Sequence, residues 1–394
     1  MSKIKRFSAM PLSRRSFVHT VGAGAAGLWV GARGREATLF GGEPLMAQGG
    51  IPPVILSSNE NPLGCHPEVL SAVRGALGEA GRYAFATADE VTALVAAKHK
   101  VKAENVLLGS GSTQILRTST HVFTTKTAGL VAAIPAYEEC ADYARLLGHP
   151  MTGVKLSSSL TMDLDALQKA SVGSGLVFFC NPNNPVATAV TGSDTRSYLT
   201  TLTRQSPDTT VLVDEAYFEY GTMAGYETMI PLAVQNPRVV VARTFSKCFG
   251  MAGLRIGYAV AHQDTIARMR AWDDIDSISV MALLGAKAAL NVPEAWVKSE
   301  QVRNADARAF TQKWFADRGY TPTNSQTNFL FVDLARPSRQ FREACERHGV
   351  LVARDFPPYE KTHVRISVGT MAEMQKAVQV FDQVLATPSK AAAA

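Results

Sequence analysis

The sequence has few cysteines and no local cluster of them. The five cysteines are odd in number, widely spaced and without a Cys-x-x-Cys pair. Disulfide frameworks and structural zinc sites are built from such clusters, so neither is indicated. Cys248 adjoins Lys247, and we interpret it as a small packed side chain rather than a nucleophile.

The body of the chain also lacks an excess of charge. The formal net charge is +6, but residues 1–47 hold seven Lys and Arg against two Glu, and the remainder holds 33 basic and 32 acidic residues. Nucleic-acid-binding domains carry clustered basic residues, so nucleic acid is not an expected partner. The 394 residues with 46% hydrophobic content suit a globular enzyme with one large and one smaller domain.

No segment is long and apolar enough to predict stable membrane insertion. Residues 1–47 instead combine a basic start, Ser13-Arg14-Arg15-Ser16-Phe17, and a Gly/Ala-rich run. This pattern resembles a twin-arginine export signal. We predict a signal peptide and leader there, transient contact with the twin-arginine (Tat) translocase, and a periplasmic or secreted protein. A disordered basic tail on a cytoplasmic protein is the alternative.

The leader also contains Gly22-Ala-Gly24-Ala-Ala-Gly27, a formal dinucleotide-binding fingerprint. That motif requires a buried strand before it and a βαβ unit after it. Here Arg14-Arg15 precedes it and the segment GARGREATLFGGEP follows it. We therefore interpret the match as coincidence, and a nicotinamide- or flavin-dependent oxidoreductase is a competing hypothesis that deletion of residues 1–47 would test.

From Pro52 onward, short apolar runs alternate with helical patterns, which predicts an α/β large domain with a mostly parallel sheet. After Val280 the pattern predicts a smaller α+β domain. We place the N-terminal arm and large domain at 48–285 and the small C-terminal domain at 286–394. The predicted strands are 105–108, 130–134, 176–180, 210–213, 239–242, 256–261, 328–332, 350–352 and 364–367, and the predicted helices are 113–123, 138–147, 164–170, 195–204, 293–318, 338–348 and 372–385.

Polar residues follow the predicted strands, and in a parallel sheet ligands bind at those carboxyl ends. Strand 105–108 leads into Gly111, Ser112 and Thr113 at a predicted helix start, where backbone amides and the helix dipole favour an anion. A plain N-cap by Ser112 is the alternative. Tyr137 follows strand 130–134 as a ring for a flat ligand to stack on, or as a half-buried loop tyrosine.

Three further strands end in the same way. Asn184 lies in the turn after strand 176–180, although turn chemistry alone also explains an asparagine there. Asp214 directly follows strand 210–213, so its carboxylate should be desolvated and in need of a cationic partner; a helix cap is the alternative. Lys247 follows strand 239–242, and Arg255 comes eight positions later.

Together these residues fit one ligand, pyridoxal 5′-phosphate. Asp214 suits a protonated ring nitrogen, Tyr137 a flat ring, and Lys247 an aldehyde. The phosphate would contact a set of small, polar and cationic residues, and the phenolic oxygen would contact an amide and a phenol. The first set is Gly111, Ser112, Thr113, Thr244, Ser246 and Arg255, and the second is Asn184 and Tyr217.

The segments NPNNP, DEAY and RTFSKCFGMAGLRIGY resemble the fold-type I pyridoxal-phosphate aminotransferases, with the nearest likeness to histidinol-phosphate aminotransferases, over about residues 52–387. The resemblance implies that Lys247 bonds to the cofactor and then shuttles a proton. It also implies that Asp214 keeps the ring nitrogen protonated, and that Arg255 and Ser246 bind the phosphate.

The resemblance further implies a homodimer with shared sites, in which Tyr83 reaches the phosphate of the neighbouring subunit's cofactor. Arg365 matches the arginine that binds the substrate α-carboxylate, and Asn328 lies near it in the sequence pattern. Arg354 corresponds to an arginine that binds a substrate phosphate, although a solvated loop arginine is the alternative. Asn59 belongs to the related NENPxG motif and is a further candidate for substrate binding.

The sequence departs from the family pattern in three places. The NPTG turn becomes Asn184-Pro-Val-Ala187, the proline of RYP becomes Ala84, and no tyrosine that binds a substrate phosphate stands between residues 47 and 55. Together with the leader, these departures weigh against a role in histidine synthesis.

The resemblance implies transamination in two half-reactions, from an amino acid or an amino-alcohol phosphate, histidinol phosphate-like or aromatic, to a 2-oxo acid such as 2-oxoglutarate. An oxidase, decarboxylase or lyase using the same cofactor is the alternative, because these reactions share their first steps. A non-catalytic binding protein on the same fold is a third hypothesis, against which both Lys247 and Asp214 argue.

Overall fold

The computed structural model describes residues 52–272 and 277–386. The predicted leader and its GAGAAG segment lie outside the described residues, as does the end of the chain beyond residue 386. No helix within the described ranges is long and apolar enough to cross a membrane.

A seven-stranded sheet forms the framework, with the strand order β2-β8-β7-β6-β5-β3-β4. Only β8 runs antiparallel to its neighbours, so the expectation of an α/β fold with a mostly parallel sheet is confirmed. The strands are β2 (Val106–Gly109), β3 (Leu130–Ile134), β4 (Met151–Lys155), β5 (Leu176–Cys180), β6 (Thr210–Asp214), β7 (Val239–Thr244) and β8 (Gly257–Ala261).

Both faces of this sheet are buried, which explains why its strands are continuous apolar runs rather than alternating ones. Phe179 and Val241 pack into one apolar cluster, while the adjacent Phe178 and Val240 pack into another on the opposite face. The helices from the first part of the chain are α1 (Pro67–Gly75), α2 (Phe85–His99), α3 (Ser112–Phe123), α4 (Glu139–Leu146), α5 (Leu164–Ser171), α6 (Gly192–Gln205), α7 (Ile230–Ala233), α8 (Gln263–Arg270) and α9 (Val280–Asn291).

The C-terminal part forms a third apolar cluster around a three-stranded antiparallel sheet. Phe341 and Phe381 pack from two helices onto Leu330 and Ile366 of this sheet. The elements are α10 (Glu294–Ala316), β9 (Thr321–Pro322), β10 (Phe329–Asp333), α11 (Ser338–Arg347), β11 (Val350–Val352), β12 (His363–Ser367) and α12 (Met371–Ala386). The predicted α+β character is present, and the domain limits stay a prediction.

The start of the described chain lies against this C-terminal part. Strand β1 (Val54–Leu56) pairs in parallel with β11, whose partner residues are about 296 positions away in sequence. The segment that follows β1, residues 57–61, is hydrogen-bonded both to the C-terminal part, at Ser367, and to the loops of the large sheet, at Tyr217 and Cys248. The sequence pattern had not indicated β1, because three residues carry no periodic signal.

Candidate active site

A cavity of about 230 Å³ opens at the carboxyl ends of β5, β6 and β7. It collects residues from chain segments that are more than 300 positions apart. Those that follow the strands of the large sheet lie where the sheet-edge argument placed them, whereas Asn59 and Arg365 come from outside that sheet. Twelve of the predicted site residues line it: Asn59, Ser112, Thr113, Tyr137, Asn184, Asp214, Tyr217, Thr244, Ser246, Lys247, Arg255 and Arg365.

Asp214 ends strand β6 and is the buried acid of the cavity, with 3% of its surface exposed. Its Oδ1 accepts a hydrogen bond from the Ala216 amide at 3.2 Å, and it forms no ion pair with any described residue. Burial raises the pKa of the Asp214 carboxyl to about 7. A desolvated carboxyl without a cation inside the protein is suited to a cationic group on a ligand.

Lys247 lies in the loop after β7 and is partly buried. Its Nζ donates to the Ser58 carbonyl oxygen at 3.4 Å and lies 5.6 Å from the centre of the Tyr217 ring. Burial, reinforced by the positive charge of Arg365, lowers the pKa of the Lys247 amine to about 8. Near neutral pH a fraction of this amine is therefore uncharged, which is the form that acts as a nucleophile or base.

The opposite corner of the cavity is built for an anion. The Arg255 guanidinium passes over Gly111, where an added Cβ would lie 2.4 Å from one of its nitrogens. Arg255 donates to Ser246 Oγ at 3.3 Å and to the Ala252 carbonyl oxygen at 2.9 Å. Helix α3 begins at Ser112, so its first amides point to the same corner. The alternative that Ser112 is the N-cap is wrong, because Gly111 holds that position.

A set of amides and hydroxyls connects the two sides of the cavity. Tyr217 is buried, and its hydroxyl accepts from Asn59 Nδ2 at 3.2 Å. The backbone N–H of Asn59 donates to Ser367 Oγ. Asn328 Nδ2 donates to the backbone carbonyl oxygen of Asn59 at 2.9 Å. Both asparagines therefore fix the loop after β1 against the C-terminal sheet, and a direct contact of either with a substrate stays a prediction.

Arg365 lies on β12 with 8% of its surface exposed. One guanidinium nitrogen donates to Asn184 Oδ1 at 2.7 Å and another to the Ser57 carbonyl oxygen at 2.9 Å. Its buried Nε has no hydrogen-bond partner among the described residues, and no described carboxylate pairs with it. Burial lowers the pKa of Arg365 to about 10. The guanidinium remains charged at neutral pH and lacks an anion.

Four predicted residues are not among those that line the cavity: Gly111, Tyr83, Asn328 and Arg354. Gly111 contributes only the space that the Arg255 side chain occupies. Tyr83 is 75% exposed and stacks on Phe85. Arg354 is exposed and forms an ion pair with Glu138. Asn328 acts through Asn59 as described. Tyr83 therefore does not contribute to the cavity of its own chain.

Sequence reasoning missed three residues that line the cavity, namely Ser58, Ala216 and Ala252. Ser58 contributes a backbone carbonyl, for which a sequence carries no residue-type signal. Ala216 contributes the amide that bonds Asp214. All three adjoin predicted motifs, so their neighbours were the available signal.

The family of the chain is decided by comparison with known proteins. The model of the family described as "Aminotransferase class I and II" matches residues 51–381. The chain belongs to the class I and II aminotransferase family. It is 32% identical to the histidinol-phosphate aminotransferase of Symbiobacterium thermophilum over 333 residues, which are 84% of this chain and 90% of the relative. Histidinol-phosphate aminotransferase 2 of Methylococcus capsulatus is also 32% identical, over 84% of this chain and 90% of its own length.

A solved structure extends the likeness to the aminotransferase fold. The histidinol-phosphate aminotransferase of Sinorhizobium meliloti, determined in complex with pyridoxal-5′-phosphate, has a TM-score of 0.78 and 25% identity, covering 84% of this chain and 90% of that one. The present chain, as a member of the same family, uses pyridoxal 5′-phosphate as its cofactor. The residues present fit the group: an unpaired buried acid, a cradle of small residues beneath an arginine, and a lysine with a lowered pKa.

Proposed function

We propose that this aminotransferase moves the amino group of an amino acid, or of an amino-alcohol phosphate, to a 2-oxo acid such as 2-oxoglutarate. The observation that carries the proposal is Arg365, a buried cation without a described carboxylate partner in the same cavity as Lys247. A buried charge requires compensation. The α-carboxylate that amino acids and 2-oxo acids share would supply it through charge-assisted hydrogen bonds.

Each residue of the cavity then has one task. Pyridoxal phosphate, when bound, supplies an aldehyde for the amine and a ring that withdraws electrons from the substrate α-carbon. The Lys247 amine would accept a proton from that carbon and deliver it to the cofactor carbon that carried the aldehyde. Asp214 holds a proton on the ring nitrogen, and Asn184 and Tyr217 donate hydrogen bonds to the phenolic oxygen.

Ser112, Thr113, Thr244, Ser246 and Arg255 would hold the cofactor phosphate. Arg255 and the first amides of α3 provide the positive charge and the dipole, and the hydroxyl groups complete the shell. Tyr137 lies at the carboxyl end of β3 and is half-exposed to the cavity, where its ring is available to stack on the cofactor ring.

The relatives named histidinol-phosphate aminotransferase support a donor with a phosphate, and aromatic amino acids are the second donor class that we propose. The test is to incubate the purified holoenzyme with histidinol phosphate, phenylalanine or glutamate together with 2-oxoglutarate or pyruvate, and to identify the amino acid formed. Transfer to the oxo acid supports the proposal. Release of ammonia, peroxide or carbon dioxide without an oxo acid would indicate an oxidase, lyase or decarboxylase instead.

We also propose a homodimer in which Tyr83 completes the site of the neighbouring subunit. Large apolar side chains are exposed along one stretch of sequence and at one further position, and an interface between subunits would bury such side chains: Ile55, Leu63, Leu70, Leu77, Tyr83, Phe85 and Trp272. Light scattering on the purified protein measures the mass of the assembly, and a monomer at micromolar concentration would contradict the proposal.

Finally, we propose that residues 1–47 direct export of the folded enzyme to the periplasm or the medium. The proposal rests on the Arg14-Arg15 pair in its SRRSF context and on the Gly/Ala-rich run after it. Replacement of Arg14-Arg15 by Lys-Lys should retain the enzyme in the cytoplasm, as measured by fractionation. Full export of that variant would contradict the proposal.

A further inference from the structure

Glu138 and Arg354 form an ion pair next to the cavity, since Glu138 follows the cavity residue Tyr137 and Arg354 lies on the same Phe356 ring as Arg365. Arg354 lies in the loop after β11, and Glu138 lies between the cavity residue Tyr137 and the start of α4. Glu138 occupies the N-cap position of α4, but its side chain makes no capping hydrogen bond. The carboxylate is therefore not required by its own helix.

The pair is coupled to Arg365 through one aromatic ring. The guanidinium carbons of Arg354 and Arg365 each lie 4.5 Å from the centre of the Phe356 ring. The two cations are thus separated by no more than twice that distance. A ligand of matching length that places one anionic group on Arg365 can therefore place a second one on Arg354.

The ion pair is exposed, with 56% of the Arg354 side chain and 44% of the Glu138 side chain accessible. Exposed ion pairs contribute little to stability, because water screens both charges. The partner of Arg354 can therefore be exchanged at low cost. Arg365 differs in this respect, since it is buried and pairs with no carboxylate in the described part of the chain.

We propose that Glu138 is a specificity-determining residue, an internal counter-ion that the distal anion of a substrate must displace from Arg354. The inference rests on the proposed function, because Arg365 must first hold the α-carboxylate. A substrate with an uncharged distal group leaves the pair intact. A dicarboxylate or a phosphate ester breaks it and then lies beside the released Glu138 carboxylate, which weakens its binding.

The test is calorimetric titration of the holoenzyme with two unreactive ligands of equal chain length. Glutarate can contact both arginines, whereas pentanoate has a single carboxylate for Arg365. Glu138→Gln should tighten glutarate binding about fivefold and leave pentanoate binding within about twofold. Arg354→Gln should weaken glutarate alone, and Glu138→Gln should have no further effect in that background.

Glu139→Gln is the matched control. It removes the same charge one residue away, from a carboxylate that pairs with Arg117, and it should change neither affinity. Equal tightening of both ligands by Glu138→Gln, no tightening of glutarate, or the same effect from Glu139→Gln would overturn the inference. If neither ligand binds the wild type but amino transfer proceeds, the inference fails and the proposed function stands; if ligands bind as expected without amino transfer, the proposed function fails.

Discussion

The two walls of the active site are built on different principles. One wall consists of Asp214 and Lys247 at the ends of adjacent strands, where burial raises the pKa of the acid and lowers that of the amine. The other wall comes from the C-terminal part: Arg365 lines the cavity, and Arg354 lies outside the cavity on the same Phe356 ring.

The charged groups of the two walls differ in what sets their charge and in whether they are paired. The strand-end wall holds single groups whose protonation is set by desolvation, which chemistry near neutral pH requires. The arginine wall offers cations at two depths, one buried and unpaired, the other exposed and already paired with Glu138. An aminotransferase handles one cofactor but two different substrates, so a fixed wall opposite an adjustable one suits the reaction.

Removal of the Lys247 side chain should have the largest effect on activity and tests the strand-end wall directly. Lys247→Ala should lower amino transfer by about 10³-fold or more, because both the covalent partner of the cofactor and the proton acceptor are lost. Borohydride reduction of the wild-type holoenzyme should fix the cofactor to the peptide that contains residue 247, as read by mass spectrometry. Lys287→Ala, at an exposed lysine paired with Glu90, should behave as wild type. A tag at another lysine would overturn the assignment.

Asp214 gives the next largest effect, and its sign depends on the cofactor. The raised pKa means that, between the ordinary value of 3.8 and about 7, folded protein binds more protons than unfolded protein. The cofactor-free wild type therefore loses stability as pH rises through that window. At pH 8 the unfolding free energy of Asp214→Asn should exceed that of the wild type by roughly 4 kcal/mol, and most of this difference should be lost at pH 4.

Urea denaturation at the two pH values measures this difference. Asp208→Asn, at a carboxylate that is 97% exposed, should show no comparable change. In the presence of cofactor the order should reverse, because only the carboxylate can pair with a protonated ring nitrogen. A cofactor-free Asp214→Asn variant that is less stable than wild type at pH 8 would show that Asp214 has a stabilising role of its own.

The two walls also differ in how far the sequence predicts them. The strand-end residues were predictable, because an apolar run followed by polar and small residues indicates where a buried strand ends. The Glu138–Arg354 pair joins residues 216 positions apart and leaves no local pattern. The sequence did not predict strand β4, because it is an edge strand in which only Val154 is buried. It did not predict helix α2 either: the residues of α2 favour a helix, but Ala84 is a weak N-cap.

On the arginine wall, Arg365→Gln should raise the KM for amino donors about 50-fold, with a smaller loss in kcat. This factor corresponds to the loss of one or two charge-assisted hydrogen bonds to the substrate carboxylate. The side chain would retain contact with Asn184 and lose the charge that holds a carboxylate. Steady-state kinetics with varied donor concentration measures the division between KM and kcat.

Arg308→Gln is the matched control for this prediction. Arg308 is also buried, and burial lowers its pKa to about 10, but it donates to the Thr327 carbonyl oxygen and to Thr222 Oγ1, away from the cavity. That variant should lose stability and keep its KM. If both substitutions raise the KM equally, the effect comes from general loosening of α10 and β12, and the role of Arg365 would be refuted.

Tyr83 gives the smallest expected effect and extends the comparison to a third wall, which the partner subunit would provide in the proposed homodimer. Tyr83→Phe should weaken cofactor binding about fivefold, the value of one hydrogen bond, as measured by fluorescence titration. When Tyr83→Phe and Lys247→Ala chains are refolded together, each mixed dimer has one site with an intact lysine and an intact tyrosine from the other chain. Cofactor affinity at that site should return to the wild-type value, because the tyrosine acts across the interface, and persistence of the Tyr83→Phe affinity in the mixture would place Tyr83 in its own chain's site.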